Sequence, residues 1–170
     1  TAALLSEFPL ERLAVVDQYE LRRKVLRFEG NKLKVDRFST FNFQLSTFDL
    51  TFELSGSPSA LNDAIALTTI SGRVVIGSWY GQKRAEIDLG GAFHRSRIKL
   101  ISSQVSTISP ELSGRWDKAR RFDVAWKALE RIQPEKWITH RFSIEDAEKA
   151  YQLLDENPQE TIQVVFKYEI

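Results

Sequence analysis

The feature that most constrains the fold is a strand–helix–strand pattern in the middle of the chain. A predicted strand from Phe48 to Leu54 is followed by the break "SGSP", by an amphipathic helix from Ser59 to Thr69, and by a second, apolar strand from Arg73 to Ile76. Gly72 precedes that second strand and Gly77 ends it. Two strands joined by a helix at this spacing form a βαβ unit, whose strands run parallel. Such units cross over with a right hand and build a parallel sheet.

The same alternation continues towards both ends of the chain. Leu13–Val16 reads as a buried strand that ends at Asp17, Tyr19–Phe28 as a helix and Leu33–Val35 as a short strand, whereas the aromatic segment Phe38–Thr47 alternates like a strand. Three further strands are predicted, at Ile98–Ser103, Trp137–Phe142 and Thr161–Tyr168. Two further helices are predicted, at Asp117–Ile132 and Ser143–Leu154, and "SIED" at the start of the second fits a capping box in which Ser143 accepts from the Asp146 backbone.

The pattern as a whole predicts an α/β fold, a three-layer domain with a parallel sheet. Strands that are covered on both faces read as continuous apolar runs. We therefore expect one set of strand residues to be buried: Val15, Val16, Phe52, Leu54, Val74, Val75 and Ile76.

Composition narrows the classes of function. The 170 residues are 42% apolar with a net charge of +1, which is typical of a soluble globular protein and argues against a nucleic-acid partner. The chain has neither an apolar run of membrane-spanning length nor a signal peptide, so we expect no membrane partner and a cytoplasmic protein. It has no cysteine, which excludes disulfides and thiolate metal sites.

No catalytic residue or metal ligand is assigned from the sequence. His94 and His140 are the only histidines, and two histidines without cysteines do not make a zinc site. The stretch "FHRSR" around His94 reads as a solvated basic loop. No G-x-S-x-G elbow supports a hydrolase triad.

Several stretches resemble the C-terminal half of a medium-chain dehydrogenase/reductase, the zinc-type alcohol dehydrogenase superfamily. Four carry most of the likeness: "FDLTFELSGSPSALNDAIALT", which is similar to the family pattern D-x-x-x-E-x-S-G, "GRVVIGSWYG", "WITHRFSIEDAEKAYQLL" and "ETIQVVFKY". Upstream, "LAVVDQYELRRK" resembles the second Rossmann strand with its ribose-binding Asp. The resemblance implies a dinucleotide-binding domain over residues 1–105 and a C-terminal helix and return segment to the catalytic domain over residues 106–170.

Parts of the family pattern are absent. The G-x-G-x-x-G turn and first strand are missing, as is the catalytic domain that brings zinc in the zinc members. This chain therefore offers no zinc ligands, and its sequence leaves open whether the whole enzyme binds zinc. The sequence starts at Thr1 and contains no methionine. We therefore expect the chain to be incomplete and inactive by itself.

The resemblance implies a cofactor role for Asp17, whose carboxylate would accept the adenosine ribose hydroxyls and favour NAD over NADP. Arg22, five positions later, is where the family often has a basic residue near that ribose. Arg22 and Arg23 could instead bind a 2′-phosphate, as in NADP, or form a solvated helix face.

Two turns at strand ends are the other expected cofactor contacts. Ser55 and Gly56 would let the backbone approach the adenine side, whereas Ile76, Gly77 and Ser78 would lie near the nicotinamide ribose. The alternative for each glycine is that it only makes the turn.

The expected function is a part of an oxidoreductase that moves a hydride between NAD(P) and a small alcohol or carbonyl substrate. The alternative is a truncated or engineered Rossmann-like module with a structural or interaction role. The apolar strand within Arg97–Ser106 corresponds to the family's edge strand, which predicts a homodimer formed through that strand. The alternative is that this strand is internal or that a loop covers it.

Overall fold

The computed structural model describes residues 1–26, 33–36 and 47–168. The chain divides into two compact units, one formed by Thr1–Phe41 with Asp117–Ile170 and the other by Asn42–Trp116. The predicted strand-like pattern of residues 38–46 and the end of the helix predicted to reach Phe28 lie outside the described residues. The predicted domain boundary between residues 105 and 106 stays a prediction.

The first unit contains two parallel strand pairs. β1 (Leu13–Val16) pairs with β2 (Leu33–Asp36), and α2 (Glu20–Leu26) lies between them in the chain. β6 (Ile138–Ser143) pairs in parallel with β7 (Gln163–Lys167). The other helices of this unit are α1 (Ala2–Ser6), α4 (Lys118–Ile132) and α5 (Ala147–Glu156). Each strand predicted in this part of the sequence is confirmed, within one or two residues at its ends.

The second unit is built on a three-stranded parallel sheet. Its elements are β3 (Phe48–Glu53), α3 (Ala60–Ala66), β4 (Thr68–Ile76) and β5 (Lys99–Ser102). The strands lie in the order β3-β4-β5. The predicted βαβ unit, and with it the α/β class with parallel strands, is therefore confirmed.

The core of the second unit lies between α3 and the sheet. Val74 of β4 has no exposed surface, and it packs in one cluster with residues of α3 and with the residue before β5: Leu61, Ala64, Ile65 and Ile98. These side chains are apolar and spaced one helical turn apart on α3, so one face of the helix covers the sheet.

Among the strand residues that the sequence predicted to be buried, only Val74 is fully buried. Five of the other residues are half-buried: Val15, Val16, Phe52, Val75 and Ile76. The prediction is wrong for Leu54, whose side chain is 51% exposed. Leu54 follows the last residue of β3 and belongs to a turn. It is therefore not held on a face of the sheet.

α3 is shorter than predicted because its C-terminal residues join the next strand. The helix ends at Ala66, and Thr68–Ile70 belong to β4. The Thr68 hydroxyl donates to the Ala64 carbonyl at 2.7 Å and also lies 2.9 Å from the Thr51 hydroxyl of β3. Consecutive β-branched residues favour an extended chain, which agrees with this assignment.

The structure confirms one of the two predicted helix starts and contradicts the other. The long helix predicted from Asp117 is confirmed, and the Asp117 carboxylate caps it by accepting from the Arg120 amide at 2.8 Å. The capping box predicted at Ser143 is wrong, because its hydroxyl donates to the Glu145 carboxylate and caps no helix. Within the described ranges, no helix combines the length and the apolar character that crossing a membrane requires.

Candidate functional site

Two neighbouring strands of the second unit end side by side and are followed by turns. Glu53, the last residue of β3, lies opposite Ile76, the last residue of β4. Both of the following segments are irregular in structure, and we call residues 54–57 the β3 turn and residues 77–80 the β4 turn. The Gly77 amide donates to the Glu53 carbonyl at 3.0 Å, so the ladder continues into the β4 turn. In open parallel sheets, ligands bind beyond the carboxyl ends of the strands, which is where both turns lie.

Hydrogen bonds join the two turns directly. The Gly56 amide donates to the Ser78 hydroxyl at 2.9 Å. From just beyond the β4 turn, the Lys83 ammonium donates to the Gly56 carbonyl at 3.1 Å. The structure therefore brings together four of the predicted site residues: Ser55, Gly56, Gly77 and Ser78. Ile76, the fifth in this unit, packs its side chain against the apolar core.

Gly56 and Gly77 are accommodated in the structure for different reasons. Gly56 has a φ of +74°, a conformation that side chains other than glycine's rarely adopt, and the space beside its Cα is open. Gly77 instead makes a close approach, since an added Cβ would lie 2.5 Å from the end of the Leu54 side chain. Leu54 is half exposed and can move. Only Gly56 is therefore required by its backbone conformation.

The sequence prediction missed the side chain at the centre of this site. Glu53 is only 4% exposed, and its carboxylate accepts from the Ser55 amide at 2.7 Å, from the Ser55 hydroxyl and from the Tyr80 hydroxyl. Ser78 also hydrogen-bonds to this carboxylate. The signal in the sequence was a single acidic residue at the end of an apolar strand. Burying such a residue is costly unless its oxygens are hydrogen-bonded.

The environment shifts the pKa values of both partners in the Glu53–Tyr80 pair. Burial by itself would raise the pKa of Glu53, but the hydrogen bonds from Ser55, Tyr80 and Ser78 outweigh it and lower the pKa below its usual value. Burial and the neighbouring Glu53 carboxylate together raise the pKa of the Tyr80 phenol. Tyr80 is thus a stable hydrogen-bond donor to an ionised Glu53, and it is not poised to act as a base.

In the first unit, Asp17 follows β1 and shapes the turn into α2. Its Oδ1 accepts from the Tyr19 amide at 2.7 Å, and its carbonyl accepts from the Arg23 guanidinium at 2.7 Å. Oδ2 accepts no hydrogen bond from the described residues. One carboxylate oxygen of Asp17 is therefore used to hold the turn.

The two arginines after Asp17 differ in their surroundings. Arg22 donates to the Thr161 carbonyl at 3.3 Å and lies over the Tyr19 ring, with its Cζ 4.7 Å from the ring centroid. Arg23 is 7% exposed. The alternative that both arginines form a solvated helix face is therefore wrong for Arg23, whose guanidinium is buried because it supports the turn after β1.

The two histidines lie in different units of the chain. His94 lies in the second unit and His140 in the first, where its Nδ1 is 3.0 Å from the Thr139 hydroxyl. In the described part of the chain, no group of three or more His, Asp or Glu side chains is arranged to hold a metal ion. The described residues therefore offer no site that fits zinc.

Several solved structures of dehydrogenases are similar to this chain over nearly its whole length. An alcohol dehydrogenase from Thermotoga maritima matches 99% of this chain with a TM-score of 0.79 at 18% sequence identity. A structure described as a short chain alcohol dehydrogenase from Escherichia coli CFT073, complexed with NADH, matches 96% of this chain with a TM-score of 0.74 at 17% identity. Glucose dehydrogenase from Haloferax mediterranei, in complex with NADP, Zn and gluconolactone, matches 99% with a TM-score of 0.71 at 13% identity.

This chain has the fold of slightly under half of an alcohol dehydrogenase. The α/β fold with parallel strands that the sequence motifs indicated is thereby confirmed. No protein-family profile matches the sequence, and no curated protein matches it. The chain spans 46%, 46% and 47% of the three structures named above, slightly under half of each.

Proposed function

We propose that this chain is the cofactor-binding part of an oxidoreductase that transfers a hydride between NAD(P) and a small alcohol or carbonyl compound. The observation that carries the proposal is the pair of joined turns, Ser55–Gly56 and Gly77–Ser78, at the carboxyl ends of adjacent parallel strands. The alcohol dehydrogenase fold of the chain agrees with it.

The residues of the two turns fit a dinucleotide. Gly56 and Gly77 carry no side chain, so a cofactor can approach the backbone closely. The hydroxyls of Ser55 and Ser78 are held at the same edge of the sheet by the Glu53 carboxylate. When bound, the nicotinamide ring would supply the hydride chemistry, and the protein would supply binding and orientation.

We propose separately that Asp17, which lies in the first unit, binds the adenosine ribose of the cofactor. The Oδ2 atom accepts no hydrogen bond from the described residues, and Oδ1 is fixed by the Tyr19 amide. A carboxylate held in this way accepts ribose hydroxyls and repels a 2′-phosphate, which favours NAD. Arg22 would lie beside the ribose, since its guanidinium is held by Thr161 and Tyr19.

We further propose that a second copy of this chain pairs with β5. Among the described strands β5 has a partner on one side only, since the order is β3-β4-β5. Ile101 on this strand is 39% exposed, and an open strand edge must be covered or paired. A two-fold axis would let the strand meet its own copy in antiparallel orientation.

The test of function uses the complete protein that contains residues 1–170. Titration with NADH and NADPH, followed by the fluorescence of the reduced nicotinamide, measures cofactor binding; Trp79, which is 91% exposed in the β4 turn, is a second reporter. Reduction of NAD is then assayed with a panel of small alcohols. Cofactor binding with alcohol-dependent NADH formation supports the proposal. Absence of cofactor binding at millimolar concentration would contradict it and favour a structural or interaction module.

A further inference from the structure

Glu53 contacts both turns of the candidate site although it belongs to neither. One carboxylate oxygen accepts from the amide and the hydroxyl of Ser55, in the β3 turn. The other accepts from the hydroxyl of Tyr80, in the β4 turn. The Glu53 carbonyl accepts from Gly77. A single residue thus joins the two segments that would contact the cofactor.

Because Glu53 is buried, its carboxylate depends on these hydrogen bonds. A carboxylate that is 4% exposed has little water to bind, so its oxygens depend on protein donors. Bonds to an ionised acceptor are about twice as strong as bonds between neutral groups. Because the donors are on the turns, the same bonds that satisfy Glu53 restrict the conformations of both turns.

We propose that Glu53 is a positioning residue that holds the β3 turn and the β4 turn in the conformation that binds the nicotinamide cofactor. The inference rests on the proposed function of these turns. Glu53 does not touch the cofactor, because its carboxylate is already occupied by Ser55, Tyr80 and Ser78. It acts through the positions of Gly56 and Ser78, whose own hydrogen bond closes the gap between the turns.

Tyr80 is the partner that makes this role testable. Its hydroxyl donates to Glu53 across 27 residues of sequence. The raised pKa of the phenol keeps it protonated, and therefore a donor, across the range of ordinary assays. If Glu53 acts partly through this bond, the effects of changing the two residues will not be additive.

The experiment measures NADH binding to the complete protein with Glu53→Gln and with a matched control, Asp49→Asn. Asp49 is exposed on the same strand, so the control makes the same chemical change away from the turns. For E53Q we expect the Kd for NADH to rise about tenfold, as loss of charged hydrogen bonds predicts. For D49N we expect the Kd to stay within about twofold. Where turnover is measurable, the KM for NAD should rise with the Kd, while kcat changes less.

Tyr80→Phe and the double variant complete the design. Y80F should raise the Kd by about threefold alone and leave it unchanged in the E53Q background, because the bond is already weakened there. Thermal unfolding of each variant identifies loss of folding. If E53Q does not fold, Y80F with an unaltered Kd overturns the inference by itself.

The outcomes separate the two proposals. A wild-type protein that binds NADH while E53Q binds it equally well overturns the positioning role and leaves the proposed function standing. A wild-type protein that does not bind NADH overturns the proposed function, and the positioning role with it. A selective loss in E53Q, with D49N unchanged, supports both.

Discussion

The amide of Gly56 and the hydroxyl of Ser78 are joined by a 2.9 Å hydrogen bond, although 22 residues separate them in the sequence. The bond ties the turn after β3 to the turn after β4. Since Ser78 also bonds to the Glu53 carboxylate, its hydroxyl connects a glycine backbone to a buried charge. The candidate site is therefore a network across two turns and not a single loop.

Replacing Ser78 by alanine should weaken cofactor binding. The change removes an acceptor from Gly56 and a bond to Glu53, and one hydrogen bond contributes about 1 kcal/mol, or about fivefold in the Kd for NADH. Ser113→Ala is the control, because its exposed hydroxyl bonds only to the Pro110 carbonyl nearby. Fluorescence titration of the complete protein measures both. Equal Kd values for the two variants would contradict a role for Ser78.

Replacing Asp17 by alanine should change the cofactor preference. Loss of the ribose acceptor should raise the Kd for NADH about tenfold, while the Kd for NADPH stays the same or falls because a repulsive charge is gone. Asp123→Ala, an exposed carboxylate on α4, serves as the control. Parallel titrations with NADH and NADPH measure the ratio of the two Kd values. Equal losses for NADH and NADPH would refute the ribose role.

Truncating the core residue Val74 should destabilise the second unit. The side chain has no exposed surface, so Val74→Ala loses buried methyl groups and leaves a cavity, at a cost of about 2 to 3 kcal/mol. Ile70→Ala, on the same strand and 69% exposed in wild type, should cost less than about 0.5 kcal/mol. Urea unfolding followed by circular dichroism compares them. A similar midpoint for both variants would show that Val74 is not in the core.

The lowered pKa of Glu53 predicts a dependence of stability on pH. A carboxylate with a folded pKa below its unfolded value stabilises the native state above the unfolded pKa, near 4.5, and loses that contribution as the pH falls through the folded pKa. Wild type should therefore be more stable than Glu53→Gln at pH 7, and the difference should shrink below pH 4.5. Thermal unfolding of wild type and Glu53→Gln at several pH values between about 3 and about 7 tests this. A difference that does not vary with pH would contradict it.

A proline at Leu100 should disrupt the proposed dimer while leaving the sheet of the protomer paired. The Ser103 amide donates to the Ile76 carbonyl at 2.8 Å, and alternate residues direct their amides to the same side of a strand. The amide of Leu100 therefore faces away from β4, towards the free edge. Leu100→Pro removes a donor from that edge and should yield monomer or aggregate.

Ile101→Pro is the matched comparison for this edge. The amide of Ile101 faces β4, so the variant should lose stability within the protomer itself. Light scattering at micromolar concentration, with thermal unfolding of each variant, separates the two effects. A wild-type protein that is a strict monomer would rule out the dimer.

The sequence by itself determined most of the secondary structure and the direction of the strands. The runs at Leu13–Val16 and Val74–Ile76 form strands because their apolar and β-branched residues are consecutive and are followed by Asp17 and Gly77. Phe48–Glu53 forms a strand because its apolar residues alternate with polar ones. Parallel pairing of β3 and β4 followed from the helix between them. These are local patterns, read over ten to thirty neighbouring residues at about the scale of one βαβ unit.

Only the tertiary structure decided which polar atoms meet. The contacts of Glu53 with Tyr80 and of Arg22 with Thr161 join residues 27 and 139 positions apart, and no periodicity encodes such distances. The same holds for Leu54, which reads as a strand residue but lies half exposed, because the strand ends at Glu53. Hydrogen bonds and burial depend on the positions of atoms brought together by packing, and these positions are a property of the whole fold.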